Sequence, residues 1–441
     1  MRRLRFPAGL VGGELVRDVT IEHDSGLITD LVAGEPSEGT AIKGVLAPPF
    51  VNGHSHAFHR ALRGKSHRQG GDFWSWRDLM YRVAGELYPE TYRRLAAGVF
   101  AEMLGAGITA VGEFHYLHHA AGGERYTDAN AMALALVKAA NDAGIRLTLI
   151  DTCYLSSDVA GSPLRPEQDR FSDGSVEAWA DRVRALADAI ADEPNVRLGV
   201  AAHSVRAVPA KDLPAVRALA DELDVPIHVH VSEQPAENEA CLAEHGITPV
   251  DLLVETGVLG PMSTAVHATH LTERDVELLA ASGAGVCLCP TTERDLADGL
   301  GPAEELAASG IPLSLGTDSN AVVDMFEEAR GVELHDRLRT GRRGVHKPSA
   351  LLEAATSGGA SAIGWPEIGA LEIGSASDFV VLDPGSFALA GADTLDGLLF
   401  SATRNDVTDV YVGGTQTVAH RRHYGGILPK TLGGGLAAVA E

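Results

Sequence analysis

At 441 residues the chain is too long for one small domain and has the length of a (β/α)8 barrel with extra strands attached. A hydrophobic content of 45% excludes a disordered protein, while 49 glycines and only 5% aromatics suit an α/β fold with many tight turns. Against 60 acidic residues stand 36 basic ones, a formal charge of −24, and such a surface repels nucleic acid and anionic membrane, so neither is an expected partner.

The first residues, MRRLRFPAGLVGGE, carry basic side chains but no sustained apolar run behind them, unlike a signal peptide. No stretch reaches the length of a membrane span, and a cytoplasmic location is expected. Residues 1–45 alternate apolar and polar positions with Gly turns between, the pattern of short strands. From there to about residue 370 the texture changes. Apolar runs at 45–50, 108–114, 147–154, 196–202, 226–231, 264–268, 284–288 and 312–315 alternate with amphipathic helical stretches such as 89–104 and 175–191. Eight strands separated by helices predict a closed parallel barrel over 46–370. An open doubly wound sheet would show a Gly-rich phosphate turn after its first strand. Here that strand runs instead into Asn52-Gly53-His54-Ser55-His56. Residues 371–441 return to short strands, as at 378–383 and 407–414, so both ends of the chain are expected to build one small composite β domain. The tail from Gly433 reads as a frayed end. The predicted class is therefore α/β, a TIM-like (β/α)8 barrel with that small domain attached.

Chemistry on such a barrel belongs at the C-terminal ends of its strands. The polar residues at those places are His54 and His56, then Glu113, His115 and Tyr116, then His203 and Arg206, then His228, His230 and Glu233, then His267, and last Asp318. His54 and His56 are two apart, so an extended strand points both imidazoles to one face. Two neutral imidazoles begin a site for a borderline metal such as Zn²⁺. One of His228 and His230 extends the set, with His230 assigned, and Asp318 closes it. Such an ion lowers the pKa of water to near ~7, and a carboxylate beside it can accept the proton. Glu233, three residues after His230, is placed to move protons toward a leaving nitrogen. His267 is placed to hydrogen-bond a developing tetrahedral centre. His270 reads as structural.

His-x-His after the first strand, His at the fifth and sixth, and Asp at the eighth resemble the amidohydrolase superfamily. His230-Val-Ser-Glu233 resembles its deaminase branch, which often uses one metal. The fourth strand ends in Ala201-Ala202-His203-Ser204 and offers no Lys for a two-metal bridge. Within the branch the chain is similar to the formimidoylglutamate deiminase family. The stretches that carry this are His54-Ser-His-Ala-Phe-His-Arg-Ala, Phe73-Trp-Ser-Trp-Arg, Glu113-Phe-His-Tyr, His203-Ser-Val-Arg, His267-Ala-Thr-His and Thr291-Thr-Glu-Arg-Asp-Leu-Ala-Asp-Gly.

The resemblance implies one divalent ion, Zn²⁺, held by His54, His56, His230 and Asp318, with Glu233, His267 and Asp318 in catalysis. It implies hydrolysis of N-formimino-L-glutamate to N-formyl-L-glutamate and ammonia, a step of histidine degradation, by a homodimer. It also makes Arg77, Tyr116, His203 and Arg206 contacts to a small dianionic substrate, which suits the way Arg forks bind carboxylates. His59 stands where family members carry a substrate-facing Gln, and an imidazole can keep that hydrogen bond. Arg77, between Trp76 and Asp78, also reads as a surface salt bridge.

Two other readings stay open at this stage. One is a deaminase of the same branch acting on a purine, pterin or guanidino compound, which would call for aromatic stacking partners. The other is a barrel that binds without catalysis. The remaining conspicuous residues have plain readings. Cys153, Cys241, Cys287 and Cys289 form no CxxC pair and read as buried thiols in a reducing compartment. His118 and His119 shape a loop, and His420 and His423 are solvated.

Overall fold

The computed structural model describes residues 1–65, 73–427 and 429–437. The side chains of Phe73 and Trp74, quoted above for the resemblance, lie outside the described residues.

Eight parallel strands form the barrel, each paired with the next in chain order: Phe50–Ser55, Ile108–His115, Arg146–Cys153, Val196–Ala202, Ile227–Val231, Ser263–His267, Gly285–Leu288 and Leu313–Leu315. Every predicted apolar run falls on one of them, with one change. The run at 45–50 is two strands in two sheets. Pro48 and Pro49 have no backbone N–H to give a ladder and interrupt it. Val45–Ala47 joins the second sheet, where it pairs with Arg2–Val11 and Phe379–Leu382, and the first barrel strand begins at Phe50.

The second sheet takes strands from both ends of the chain, in the order His423 strand, Thr415–Ala419, Val407–Val412, Phe379–Leu382, Val45–Ala47, Arg2–Val11, Glu14–Asp24, Leu27–Ala33. Phe6, Val19, Ile21, Ile28, Leu46 and Phe379 fill its own core. Arg146 of the third barrel strand reaches it with two bonds to Asp378, Nε to Oδ2 at 2.9 Å and Nη2 to Oδ1 at 3.0 Å.

Two expectations about the C-terminus are corrected. The tail from Gly433 is not frayed as far as Ala437: Pro429–Ala437 is a helix lying on the helix Pro89–Gly105. A Cβ on Gly98 would sit 2.8 Å from Leu432, and one on Gly435 would sit 2.9 Å from Leu95, so the glycines that look flexible in sequence are the surface of a close helix crossing. His423 is not solvated either, because its Nε2 donates to the Ala143 carbonyl at 2.7 Å. His420 is exposed, as expected. No described helix is long and apolar enough to cross a membrane.

The barrel closes where its first and last strands meet. Ser55 and Asp318 form a parallel bridge, His56 N–H donates to Asp318 O at 2.9 Å, and Asp318 N–H donates to His54 O at 3.0 Å. Asn52 reinforces the seam, its Nδ2 donating to Thr317 Oγ1 at 2.7 Å and its Oδ1 accepting Thr317 N–H at 2.9 Å. A Cβ on Gly316 would lie 2.7 Å from the His54 carbonyl oxygen, which only glycine avoids. Gly316→Ala is therefore expected to cost about 1–3 kcal/mol of stability through overpacking. Gly434→Ala, where a Cβ meets nothing within 4 Å, is expected to gain up to about 1 kcal/mol from helix propensity. Urea titration of both variants checks this, and equal midpoints would contradict the seam's tightness.

Candidate active site

The seam also delivers side chains. His54 and His56 point into the barrel mouth from the end of the first strand, and both are buried. His54 Nε2 lies 3.1 Å from His230 Nε2, while Asp318 Oδ1 stands 3.6 Å from His54 Nε2 and 3.4 Å from His56 Nε2. Donors at about 2.1 Å from a tetrahedral Zn²⁺ stand ~3.4 Å apart, so this spacing fits one small divalent ion. Two of the rings are oriented for it. His56 Nδ1 donates to Phe114 O at 3.0 Å and His230 Nδ1 donates to His203 O at 3.0 Å, which leaves each Nε2 as a lone pair facing the centre. Burial keeps the imidazoles neutral, the form that binds metal. It pushes His56 down to about 3 and His54 and His230 well below the usual range, with neighbouring histidines adding to the effect.

His267 sits opposite, its Nε2 3.8 Å from Asp318 Oδ2 and 3.9 Å from Glu233 Oε1, its Nδ1 3.6 Å from Glu293 Oε1. Burial alone would lower this ring, but Glu293, Glu233 and Asp318 outweigh it and lift it to about 10. The backbone here is strained. Ser232, His267, Asp318 and Asn320 have φ of 52°, 70°, 41° and 54°, a left-handed conformation that costs roughly 1–3 kcal/mol at each non-glycine residue. Asn320 holds its part of the turn through Nδ2 bonds to His56 O at 3.0 Å and Ser55 Oγ at 3.2 Å.

Of these groups His56, His230, His267 and Asp318 line the floor of a pocket of about 230 Å³. All five predicted substrate contacts, His59, Arg77, Tyr116, His203 and Arg206, line it together with Glu233 and His267. His59 Nε2 is 2.9 Å from the Tyr116 hydroxyl, and His203 Nδ1 is 3.1 Å from Ser204 Oγ. Arg77 lies over the Tyr81 ring, 5.8 Å from its centre. Arg206 is tied to two carboxylates, Nη2 to Glu233 Oε2 at 2.9 Å and Nε to Glu237 Oε2 at 2.9 Å.

Other candidates fall outside the pocket. His228 Nε2 donates to Ala362 O at 2.8 Å, away from the mouth, which separates it from His230. Glu113 accepts Ala57 N–H at 2.6 Å and braces the turn after His56, and burial pushes its carboxyl up to about 8. His115, His118 and Asp151 are spaced like a second ligand set. There, however, Arg182 already supplies the cation, with Nη1 and Nη2 each 2.8 Å from the Asp151 carboxylate. His118 and His119 pin the loop to Thr152 O and to Asp173. Cys287 and Cys289 are buried thiols packed on Val266.

Sequence reasoning missed Glu293 behind His267, and in the pocket wall Glu237 and the rings of Trp76, Tyr81, Tyr154 and Phe171. Glu293 was within reach, inside the quoted Thr291-Thr-Glu stretch. Glu237 had only its position four residues after Glu233.

The pattern of the amidohydrolase family matches residues 45–417. The chain belongs to this family, and it is a hydrolase acting on carbon–nitrogen bonds. It is 37% identical to the formimidoylglutamate deiminase of Pseudomonas aeruginosa over 93% of each chain. It is 30% identical to a 5-methylthioadenosine/S-adenosylhomocysteine deaminase of Nitratidesulfovibrio vulgaris, over 90% of this chain and 82% of that one. An amidohydrolase from Brucella melitensis overlays on the whole of both chains with a TM-score of 0.91 and 32% identity.

The two histidines of the fifth strand give a direct check of the site. Chelated protein titrated with Zn²⁺ is expected to bind at least ten times more weakly after His230→Ala, by analogy with losses of about 10–100-fold even for outer partners of a metal. His228→Ala is expected to leave that affinity in place and to lower only stability. The reverse order would move the centre off His230.

Proposed function

We propose that the chain hydrolyses N-formimino-L-glutamate to N-formyl-L-glutamate and ammonia, a step of histidine degradation, using one Zn²⁺ held by His54, His56, His230 and Asp318. The observation that carries this reading is one pocket with a metal-type donor set at its floor and Arg77 and Arg206 in its walls. In a protein of charge −24, half-buried arginines in the wall of such a pocket are a means of receiving a dianion.

A divalent ion in this site makes water acidic enough to supply a nucleophile at neutral pH. The chain's own groups do the rest. Asp318 takes a proton from the attacking water, whose oxygen bonds to the formimino carbon. His267, facing Asp318 Oδ2, donates a hydrogen bond to the oxygen as charge builds there. Glu233 takes the remaining proton from that oxygen and carries it to the terminal nitrogen, so the carbon–oxygen double bond forms as the carbon–nitrogen bond breaks, and the proton held by Asp318 passes to the departing ammonia. An amidinium and one water thus become a formamide and ammonium. Arg206, Arg77, Tyr116, His203 and His59 hold the two carboxylates, so the amidine carbon stays over the floor.

A nucleobase deaminase is the second reading, favoured by Trp76, Tyr81, Tyr154 and Phe171 in the same pocket. Trp76, however, packs edge-on against His59, and the other three rings pack together. Phe171 packs on Tyr81, Tyr116 and Tyr154 at 6.0, 5.1 and 5.4 Å between ring centres. Gln168 Nε2 fixes the Tyr81 and Tyr154 hydroxyls at 3.1 and 2.9 Å.

An ammonia-release assay over formimino, guanidino and nucleobase substrates decides between the readings, with formiminoglutamate expected to give the highest kcat/KM. Glu233→Gln is expected to keep the metal and to lower kcat on the order of 10²-fold. An unchanged kcat would remove Glu233 from the mechanism. Arg77→Met and Arg206→Met are each expected to lower kcat/KM for formiminoglutamate roughly 10²-fold, equivalent to ~2.7 kcal/mol. Their losses on a simple formamidine without carboxylates should be much smaller, and equal losses would end the specificity assignment.

A further inference from the structure

Arg206 is over-supplied with negative charge. Its guanidinium is half-buried between Glu233 and Glu237, and the two carboxylates differ in how they are held. Glu237, on the first turn of the helix Pro235–His245, is 2% exposed. Its Oε1 accepts the Ser232 N–H at 2.8 Å, and Ser232 is one of the residues with positive φ. Glu237 is therefore fixed to the backbone at the end of the fifth strand. Glu233 lines the pocket, with Oε2 on Arg206 at 2.9 Å and Oε1 3.9 Å from His267 Nε2.

The proposed reaction makes two demands on this group. Glu233 must leave Arg206 to carry a proton to the amidine nitrogen. Arg206 must at the same time bond a carboxylate of the substrate. One exchange meets both: the substrate carboxylate takes the N–H that Glu233 gives up, and the charge around the guanidinium stays the same. The exchange works only if Arg206 keeps its place while its partner changes. A flexible arginine released from one of two carboxylates would otherwise swing toward the other rotamers open to it. Glu237, bonded to the Ser232 N–H and enclosed, is the partner placed to stay.

We infer that Glu237 is a positioning residue for substrate recognition, holding Arg206 in place while its Nη2 N–H passes from Glu233 to a carboxylate of the substrate. This rests on the reading of Arg206 as a carboxylate contact. Glu237 belongs to the pocket wall, but its carboxylate is enclosed against Arg206 and the Ser232 N–H, so it acts through Arg206. Its effect must therefore appear in binding of the carboxylate and must vanish when Arg206 is absent.

The experiment is a double-mutant cycle in the full-length, metal-loaded protein, with Glu237→Gln, Arg206→Met and the double variant assayed on formiminoglutamate and on formamidine. Gln keeps the shape and the acceptor for Ser232 N–H but removes the charge. Glu237→Gln is expected to raise KM for formiminoglutamate about 10- to 100-fold, with kcat changed less than fivefold. Its loss in kcat/KM should be at least ten times larger on formiminoglutamate than on formamidine. In the Arg206→Met background the same substitution should cost under threefold. Glu237→Asp, which keeps the charge one methylene short, should fall between Gln and Glu. An unchanged KM, equal losses on the two substrates, or a full additional loss in the Arg206→Met background would each overturn the inference. So would failure of both Glu237 variants to fold, since the residue would then be structural. If Arg206→Met itself shows no preference between the substrates, the carboxylate reading fails first, and the cycle shows which of the two has failed.

Discussion

The contact between residues 52–56 and 316–320 fixes everything at the barrel mouth. Two backbone hydrogen bonds join His54 and His56 to Asp318, and Asn52, Thr317 and Asn320 lock the same seam with side chains. Three of the four proposed metal donors thus sit at or just past the ends of the two strands whose pairing closes the barrel. Their relative positions follow from the closure and from the short turn after the last strand that carries it. The positive φ at Asp318 and Asn320 is tolerated because this network over-determines the turn. His230 is the donor from across the barrel, and its ring is aimed by the carbonyl of His203 on the neighbouring strand.

A second constraint is charge. An acidic chain has to receive an anion in the proposed reaction, and it would do so with half-buried arginines set beside carboxylates that hold them. Arg206 between Glu233 and Glu237 is the clearest case, and Arg182 on Asp151 and Asp173 is its counterpart behind the second and third strands. The first faces the pocket. The second does not, and it completes the His115 and His118 cluster as a structural unit. The same side-chain types therefore serve different ends according to whether the pocket reaches them.

Much of this was legible in the sequence because strands alternate faces and barrels carry chemistry at one end. His54-x-His56, His267 and Asp318 follow apolar runs, and each lies at the mouth. His228 and His230 mark where that logic stops. Both face inward, as their spacing requires, but they differ by ~6.6 Å in depth along the strand. Sequence gives the face, and only the assembled barrel shows which ring reaches the floor. Glu237 was hidden for a related reason, since a carboxylate in an acidic helix looks like a solvated one until Arg206 is seen beside it. The Gly-rich C-terminus misled because a glycine that frees a chain and a glycine that lets two helices touch are the same letter. Pro48-Pro49 was the reverse case: the signal that splits residues 45–50 between two sheets was present and local.

The central claim is that the barrel mouth is a one-metal hydrolytic centre built on that seam. Anomalous diffraction at the zinc edge, from crystals of the zinc-loaded protein, tests it most directly. The account predicts one peak per chain within about 2.0–2.2 Å of His54 Nε2, His56 Nε2, His230 Nε2 and one oxygen of Asp318. A peak between His115, His118 and Asp151 instead, or two peaks at the mouth, or none at saturating zinc, would contradict it.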